Sequence, residues 1–277
     1  MKSKTEQQQL FHHINERFVK AFATYRLLED DDHVLVGLSG GKDSLCLLEL
    51  LAKRARISHP RFTVEALYVR MANISYETST DYLQRFCDEL GVKLHIVTTS
   101  FSAEPTAAAE TAAETAAEVA AHDDAGQKSA SRPKPPCFLC SWNRRKQLFN
   151  LAQQLGCNKI ALGHHQDDLL TTALMNLTFQ GRFGTMPARM AMRKMPLTII
   201  RPLCLVAEED IRRYAELSGY EKQLKQCPYE HDSHRTSIRT LYDTMERLNP
   251  EARFSLWNAL CREGKLVEDA LEPTEGG

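Results

Sequence analysis

No stretch of the 277 residues approaches the roughly 18 uninterrupted apolar residues of a membrane-spanning helix. The N-terminus, MKSKTEQQQLFHHINERF, lacks the apolar core of a secretory signal, so a cytoplasmic location without a membrane partner is expected. Neither sign of charge is in excess: 35 Lys and Arg stand against 36 Asp and Glu. The balance is uneven along the chain, however. Residues 103–126 hold six acidic residues and no Lys or Arg, so the remainder sets 35 basic residues against 30 acidic. Such a mildly basic body is compatible with nucleic acid without requiring it. A disulfide framework is not expected from the eight cysteines in a reducing compartment. Cys46, Cys87, Cys157, Cys204 and Cys261 lie in apolar context and read as small buried hydrophobes.

What is present is an alternation of short apolar runs and amphipathic stretches. Residues 6–28 read as a helix with Leu10, Ile14, Phe18 and Phe22 about one turn apart. Strands are expected at 33–39, 62–70, 92–99, 158–163 and 197–203. Helices are expected at 42–56, 75–91, 141–155, 166–179 and 208–218. The strands are apolar without strict alternation, which fits burial on both faces of a parallel sheet. The fold class is therefore α/β, a doubly wound parallel five-stranded sheet with ligands outside the carboxyl ends of its strands. Two polar clusters, residues 38–44 and GHHQDD at 163–168, follow separate strands at equivalent ends and point to one shared site.

Three regions frame that α/β body, taken as residues 31–220. A helix precedes it over 1–30. Within it, 103–131 contains TAAAETAAETAAEVAA, which favours helix by composition but stacks Glu110, Glu114 and Glu118 at i,i+4 and offers no large apolar stripe. A disordered or marginally helical insertion is expected there. Beyond 220 no strand pattern remains, and helices at 233–248 and 250–262 form a C-terminal appendage. The FSLW within it suits either core packing or a homodimer face.

VGLSGGKDSLCLL (36–48) has the grammar of a phosphate-binding turn, but not of the usual P-loop. Val36 stands where the first glycine belongs, and Asp43 replaces the hydroxyl residue that follows the lysine. Backbone N–H groups around Gly40 and Gly41 and the helix start form an anion site. Lys42 can neutralise phosphate, and Ser39 and Ser44 can donate hydrogen bonds. Asp43 cannot bond phosphate while ionised, but it can hold a Mg²⁺ that bridges phosphates. SGGKDS resembles the signature loop of the PP-loop ATP pyrophosphatases, whose fold is adenine nucleotide alpha-hydrolase-like. The resemblance implies ATP cleaved between its α and β phosphates, with the loop gripping the leaving pyrophosphate.

PPCFLCSWNRRKQL places Cys137 and Cys140 two residues apart, and Cys227 follows in KQCPYE. The residues alone leave a redox pair, a zinc site completed by His231 or His234, and an iron–sulfur ligand set all open. The match widens beyond cysteine, through C-x-x-C-S-x-x-R-R, ALGHHQDD, MP at 186–187, IIRPL at 199–203 and CP at 227–228. In order and approximate spacing this resembles the tRNA 2-thiocytidine synthetases over residues 30–235. The 103–131 insertion lies outside that pattern.

The resemblance implies ATP and Mg²⁺ on Ser39, Gly40, Gly41, Lys42, Asp43 and Ser44, with Gly163 beside them. It assigns Lys42, Asp43 and Asp168 to catalysis, and Asp167 to metal or loop support unless it serves only as a helix cap. It implies a [4Fe-4S] cluster on Cys137, Cys140 and Cys227 with one iron open to sulfur. The substrate is then a tRNA cytidine, position 32 of the anticodon loop, with sulfur supplied by a donor such as a cysteine desulfurase. Arg144, Arg145 and Lys146 are candidate RNA contacts, and His164 and His165 candidate site-lining residues. A second reading is a PP-loop enzyme acting on another tRNA base or a small substrate, with structural zinc on the cysteines. A third, a nucleotide-sensing module without turnover, would need the loop to bind and not react.

Overall fold

Apolar runs make buried parallel strands, and five neighbouring parallel strands form the body of the sheet. The computed structural model describes residues 2–76, 79–100, 136–221, 225–226 and 234–269. The main strands are β1 (Asp32–Leu38), β2 (Phe62–Met71), β4 (Lys93–Thr99), β5 (Lys159–Ala161) and β7 (Thr198–Ile200). A short β3 (Ser75–Tyr76) lies outside this sheet, and β6 (Arg189–Ala191) lies beyond β7 within it. With β8 (Lys225–Gln226) and β9 (Val267–Glu268), the sheet order is β4-β2-β1-β5-β7-β6-β9, and β3 pairs with β8 separately. The sheet thus has seven strands, not five. The additional two arise because β6 runs antiparallel to β7, and β9 joins parallel to β6.

The helices are α1 (Lys2–Tyr25), α2 (Lys42–Ala55), α3 (Asp81–Leu90), α4 (Pro136–Leu155), α5 (Gln166–Gln180), α6 (Glu208–Leu217), α7 (His234–Leu248) and α8 (Ala252–Arg262). Expected helix 75–91 begins six residues later, because Ser75 and Tyr76 pair first with Gln226 and Lys225. Gly91 ends it in the left-handed region at φ 70°, with its N–H donating to Asp88 O. No helix among the described residues is long and apolar enough to cross a membrane. The 103–131 insertion, Cys227 and His231 lie outside the described residues.

The inner strands bury both faces, whereas β4, at the sheet edge, is only partly covered. In β1, Val34, Val36 and Leu38 belong to one apolar core, while Leu35 belongs to another. The larger core takes in α1, α2, α3 and the helices from α5 onward; the smaller holds Leu148, Phe149 and Ala152 of α4. That double burial is why the strands carry no polar alternation. Cys46, Cys87, Cys157 and Cys204 are buried as expected, and burial pushes the thiols of Cys87 and Cys157 up to about 12 and about 11, making poor nucleophiles. Cys261 departs from expectation: it is exposed on α8. FSLW divides, with Trp257 buried and Phe254 outside.

At the far end of the sheet from the glycine turn, His33 of β1 and His95 of β4 both reach Glu65 of β2, at 3.0 and 2.5 Å. Burial raises the Glu65 pKa, but the two imidazole hydrogen bonds outweigh it and hold the carboxyl below its usual value. A carboxyl depressed in the folded state adds stability above its unfolded pKa and loses it as pH falls through the folded one. Glu65→Gln is therefore expected to cost about 1–3 kcal/mol at pH 7 and to flatten the loss of stability below about pH 4.5. Urea unfolding across pH 3–7 checks both; parallel pH profiles for the two proteins would contradict the assignment.

Candidate functional site

The strand order reverses between β1 and β5, and a crevice opens there at their carboxyl ends. β1 delivers Ser39–Gly40–Gly41 and α2; β5 delivers Gly163–His164–His165 and α5. Gly40 turns the chain at φ 80°, a conformation that favours glycine. Gly41 then precedes α2 with extended backbone and makes no side-chain cap, leaving the first-turn N–H groups of α2 to the loop. The two serines stitch the turn together. The Ser44 hydroxyl donates to Gly41 O at 2.9 Å, accepts from Ser39 N at 3.1 Å, and lies 3.0 Å from Ser39 Oγ. The Ser39 hydroxyl also accepts from Gly41 N at 3.3 Å.

Gly163 shows why the second loop needs a glycine. A Cβ there would lie 3.1 Å from Asp43 C and from Ser44 N, so backbone meets backbone. His165, 3% exposed, is pinned between the loops. Its Nε2 lies 3.3 Å from Asp168 Oδ2 and 4.0 Å from Asp43 Oδ1, and its Nδ1 lies 3.7 Å from Asp167 Oδ2. That Nδ1 is buried without a hydrogen-bond partner. The alternatives left open by the sequence separate here: His165 is buried behind the loop, while His164 lines the cleft.

The two aspartates have different jobs. Asp168 accepts the His165 backbone N–H at 3.1 Å, capping α5, and keeps its side chain partly exposed beside the loop. Asp167 is buried; it accepts Glu208 N at 2.8 Å and Arg253 at 2.6 Å. Burial pushes the Asp167 carboxyl up, but these contacts, Arg253 foremost, bring it below its usual range. Lys42 Nζ lies 3.0 Å from Asp43 Oδ1 and 2.9 Å from Glu208 Oε1. Burial alone would lower the ammonium's pKa; the bonds to Glu208 and Asp43 raise it, so the charge is held. Glu208 is depressed in turn, with Lys42 the main partner overcoming its burial, and its other oxygen accepts from Arg239.

Glu208, Arg239 and Arg253 were not foreseen. Each reaches the site across more than thirty residues of sequence, and no local spacing signals it. The only sequence hint is position: Glu208 opens the helix that follows β7.

A cleft of about 310 Å³ adjoins the loop. One wall is Gly37–Ser39 with Leu67–Val69 of β2; the facing wall is Ser141, Arg144, Arg145 and Leu148 of α4. His164 and Arg201 close the floor. Buried Arg201 donates to His164 Nδ1 at 3.3 Å and to Pro187 O at 2.6 Å, joining the MP and RPL segments. Arg144 and Arg145 thus stand on the cleft wall, whereas Lys146 is exposed, its ammonium 5.3 Å from the Trp142 ring centroid. Cys140 precedes cleft-lining Ser141 and packs partly buried against the smaller apolar core. The α4 backbone begins at Pro136, so Cys137 is in its first turn.

Comparisons with known proteins agree with this geometry. Residues 8–120 match the PP-loop domain family. A tRNA-cytidine(32) 2-sulfurtransferase of Bordetella avium is 30% identical over 263 residues, covering 94% of this chain and 76% of that protein. Another, of Citrifermentans bemidjiense, is 31% identical over 252 residues, covering 90% of each. Among solved structures, a U34-tRNA thiolase from Methanococcus maripaludis, determined with its [4Fe-4S] cluster, superposes with a TM-score of 0.68 at 23% identity. It covers 97% of this chain, which covers 85% of it.

Gly163→Ala tests the backbone seam. The added methyl must push the phosphate loop aside, at about 1–3 kcal/mol. The variant is expected to fold and to bind ATP·Mg²⁺ at least tenfold more weakly in calorimetry. Unchanged affinity would show that the two loops move independently.

Proposed function

The chain belongs to the PP-loop family, with the tRNA-cytidine(32) 2-sulfurtransferases, and from that premise we propose that it thiolates a tRNA cytidine at C2 in an ATP-dependent reaction. The observation that carries the reading is the cleft itself. Ser39, which opens the phosphate loop, and Ser141, which follows Cys140 on the helix bearing the C-x-x-C pair, line the same cleft. Nucleotide chemistry and cysteine chemistry then share one chamber.

In this reading the β,γ-phosphates of ATP rest on residues 39–44. The first-turn N–H groups of α2 and the Lys42 ammonium neutralise the charge that grows on the leaving pyrophosphate. Mg²⁺ suits the oxygen donors beside the loop, where the partly exposed carboxylates of Asp43 and Asp168 flank His165. O2 of the cytosine attacks the α-phosphorus, the bond from that phosphorus to the bridging oxygen breaks, and pyrophosphate departs. C2 is then electrophilic; sulfur bonds to it and AMP leaves with the former O2. Arg144 and Arg145 supply positive charge on the cleft wall, and Lys146 meets the RNA backbone outside. Tight positioning of the reacting atoms does most of the remaining work.

The cysteines fit an iron–sulfur group. Cys140 is a partly buried thiol packed against the smaller apolar core, next to cleft-lining Ser141, and Cys137 and Cys227 complete a three-thiolate set in sequence. When bound, a [4Fe-4S] cluster on three thiolates supplies an open iron that can carry sulfur. We further place the protein in the cytoplasm, with a cysteine desulfurase as sulfur donor and a homodimer as its assembly.

Two measurements test this. Nucleoside mass spectrometry of tRNA from a deletion strain is expected to lose 2-thiocytidine; Lys42→Ala should fail to restore it, with in vitro turnover reduced roughly 100-fold or more. An unchanged nucleoside profile would reject the substrate. Anaerobically purified protein should be brown and lose its colour in Cys140→Ala, whereas stoichiometric zinc in a colourless protein would favour a structural metal.

A further inference from the structure

Lys42 is already engaged before any phosphate arrives. Its ammonium contacts Asp43 of its own loop and Glu208, which lies 166 residues away at the start of α6. Asp43 is placed to hold metal. Glu208 has a different set of attachments. One carboxylate oxygen accepts from Lys42, and the other from Arg239 on α7. Its backbone N–H donates to Asp167, whose remaining oxygen is held by Arg253 of α8. Arg253 also reaches Glu246 on α7 at 2.9 Å. Two ionic chains therefore run from the phosphate loop and its neighbour to the C-terminal helices, and they meet where Glu208 bonds Asp167.

A polyphosphate bound to residues 39–44 would present its oxygens to the same ammonium that Glu208 now occupies. Two anions would then crowd one cation, in a site where Glu208 is only about one-fifth exposed. Glu208 is a competitor of phosphate for Lys42, and Arg239 is the cation that competes with Lys42 for Glu208. We infer that Glu208 is a positioning residue that exchanges Lys42 between a latched state and the nucleotide, and so links phosphate occupancy to the seating of α7 through Arg239. The linkage is reciprocal by necessity: whatever loosens Glu208 from Lys42 must favour phosphate, and phosphate must weaken Glu208's hold on Lys42. This deepens the reading of residues 39–44 as a nucleotide loop and rests on it.

The signs of the mutant effects separate this role from a structural one. Glu208→Gln keeps the shape but removes the competing charge, so ATP·Mg²⁺ should bind roughly three- to tenfold more tightly than to wild type. A side chain that merely supported the loop would give the opposite. Arg239→Gln, on an exposed helix face, leaves Lys42 as Glu208's main cation and should weaken binding roughly threefold. In the double variant the Arg239 effect should vanish and the affinity should match Glu208→Gln, a non-additivity expected only if Arg239 acts through Glu208.

Calorimetric titration of the four full-length proteins with ATP·Mg²⁺, and with inorganic pyrophosphate, measures the cycle. Hydrogen exchange over residues 236–248 adds a readout independent of turnover. Nucleotide should change exchange in wild type and leave Glu208→Gln unaffected. Weaker binding by Glu208→Gln, equal affinities across the set, or an Arg239 effect that persists without Glu208 would each overturn the inference. Should Glu208→Gln fail to fold, Arg239→Gln and the exchange data still decide, since unchanged affinity there, or α7 exchange insensitive to nucleotide, contradicts the linkage. Failure of wild type to bind either probe would remove the loop assignment itself and the inference with it; binding by wild type with a flat cycle removes only the inference.

Discussion

The backbone of Gly163 rests on the backbone of Asp43 and Ser44 so closely that a methyl group there would have to displace the loop. That contact fuses the loops after β1 and β5 into one surface, at the place where the strand order reverses. Ligand crevices form there because neighbouring strands send their helices to opposite faces of the sheet. Most of the site follows from the seam. The serines brace the turn internally, and Gly163 brings the second loop against it without a side chain. His165 can then be buried between the loops, with carboxylates of both about it.

Charge is sorted across the crevice. Asp43, Asp167, Asp168 and Glu208 gather on the side of α2, α5 and α6, each near a cation or a helix start. Arg144, Arg145 and Arg201 line the cleft on the side of α4. A nucleotide with its metal is itself divided into phosphate oxygens and a divalent cation. Arginines lining the cleft and carboxylates grouped about the adjoining loop match that division more closely than a uniformly basic groove would. That arrangement also explains how a chain of net charge −1 can take a polyanionic substrate: the local field at the cleft, not the total, governs binding.

Much of this was legible in the sequence, and the parts that were not share a physical character. Four of the five parallel strands could be read because they are apolar runs closed by polar loops; β4, partly exposed at the edge, was read from its β-branched residues. β6 and β9 could not, since three residues and two residues are too few to show a period. The phosphate turn was legible because glycines, lysine and helix onset are neighbours in sequence. Glu208 was not: within VAEED it looks like any acidic first turn of a helix. Arg253, in PEARF, looks like a solvated surface residue, yet it holds buried Asp167. Ion pairs spanning 86 or 166 residues are products of the folded topology.

The chain beyond residue 220 changes in sequence pattern, but it is joined physically to the site. α7 and α8 supply the cations that hold Glu208 and Asp167, and β9 extends the main sheet. The pairing of β8 with β3 adds a constraint of a different kind. β3 follows directly on β2, so Gln226, opposite Ser75, is brought back by backbone hydrogen bonding to the sheet end that carries the glycine turn. α4 sets out from Pro136 above the same end, with Ser141 in the cleft. A two-residue spacing on one helix supplies only two thiolates, so a three-thiolate site made from C-x-x-C and C-P would need its third ligand from another segment. The short β3–β8 bridge owes its place to the length of β2, the longest of the described strands.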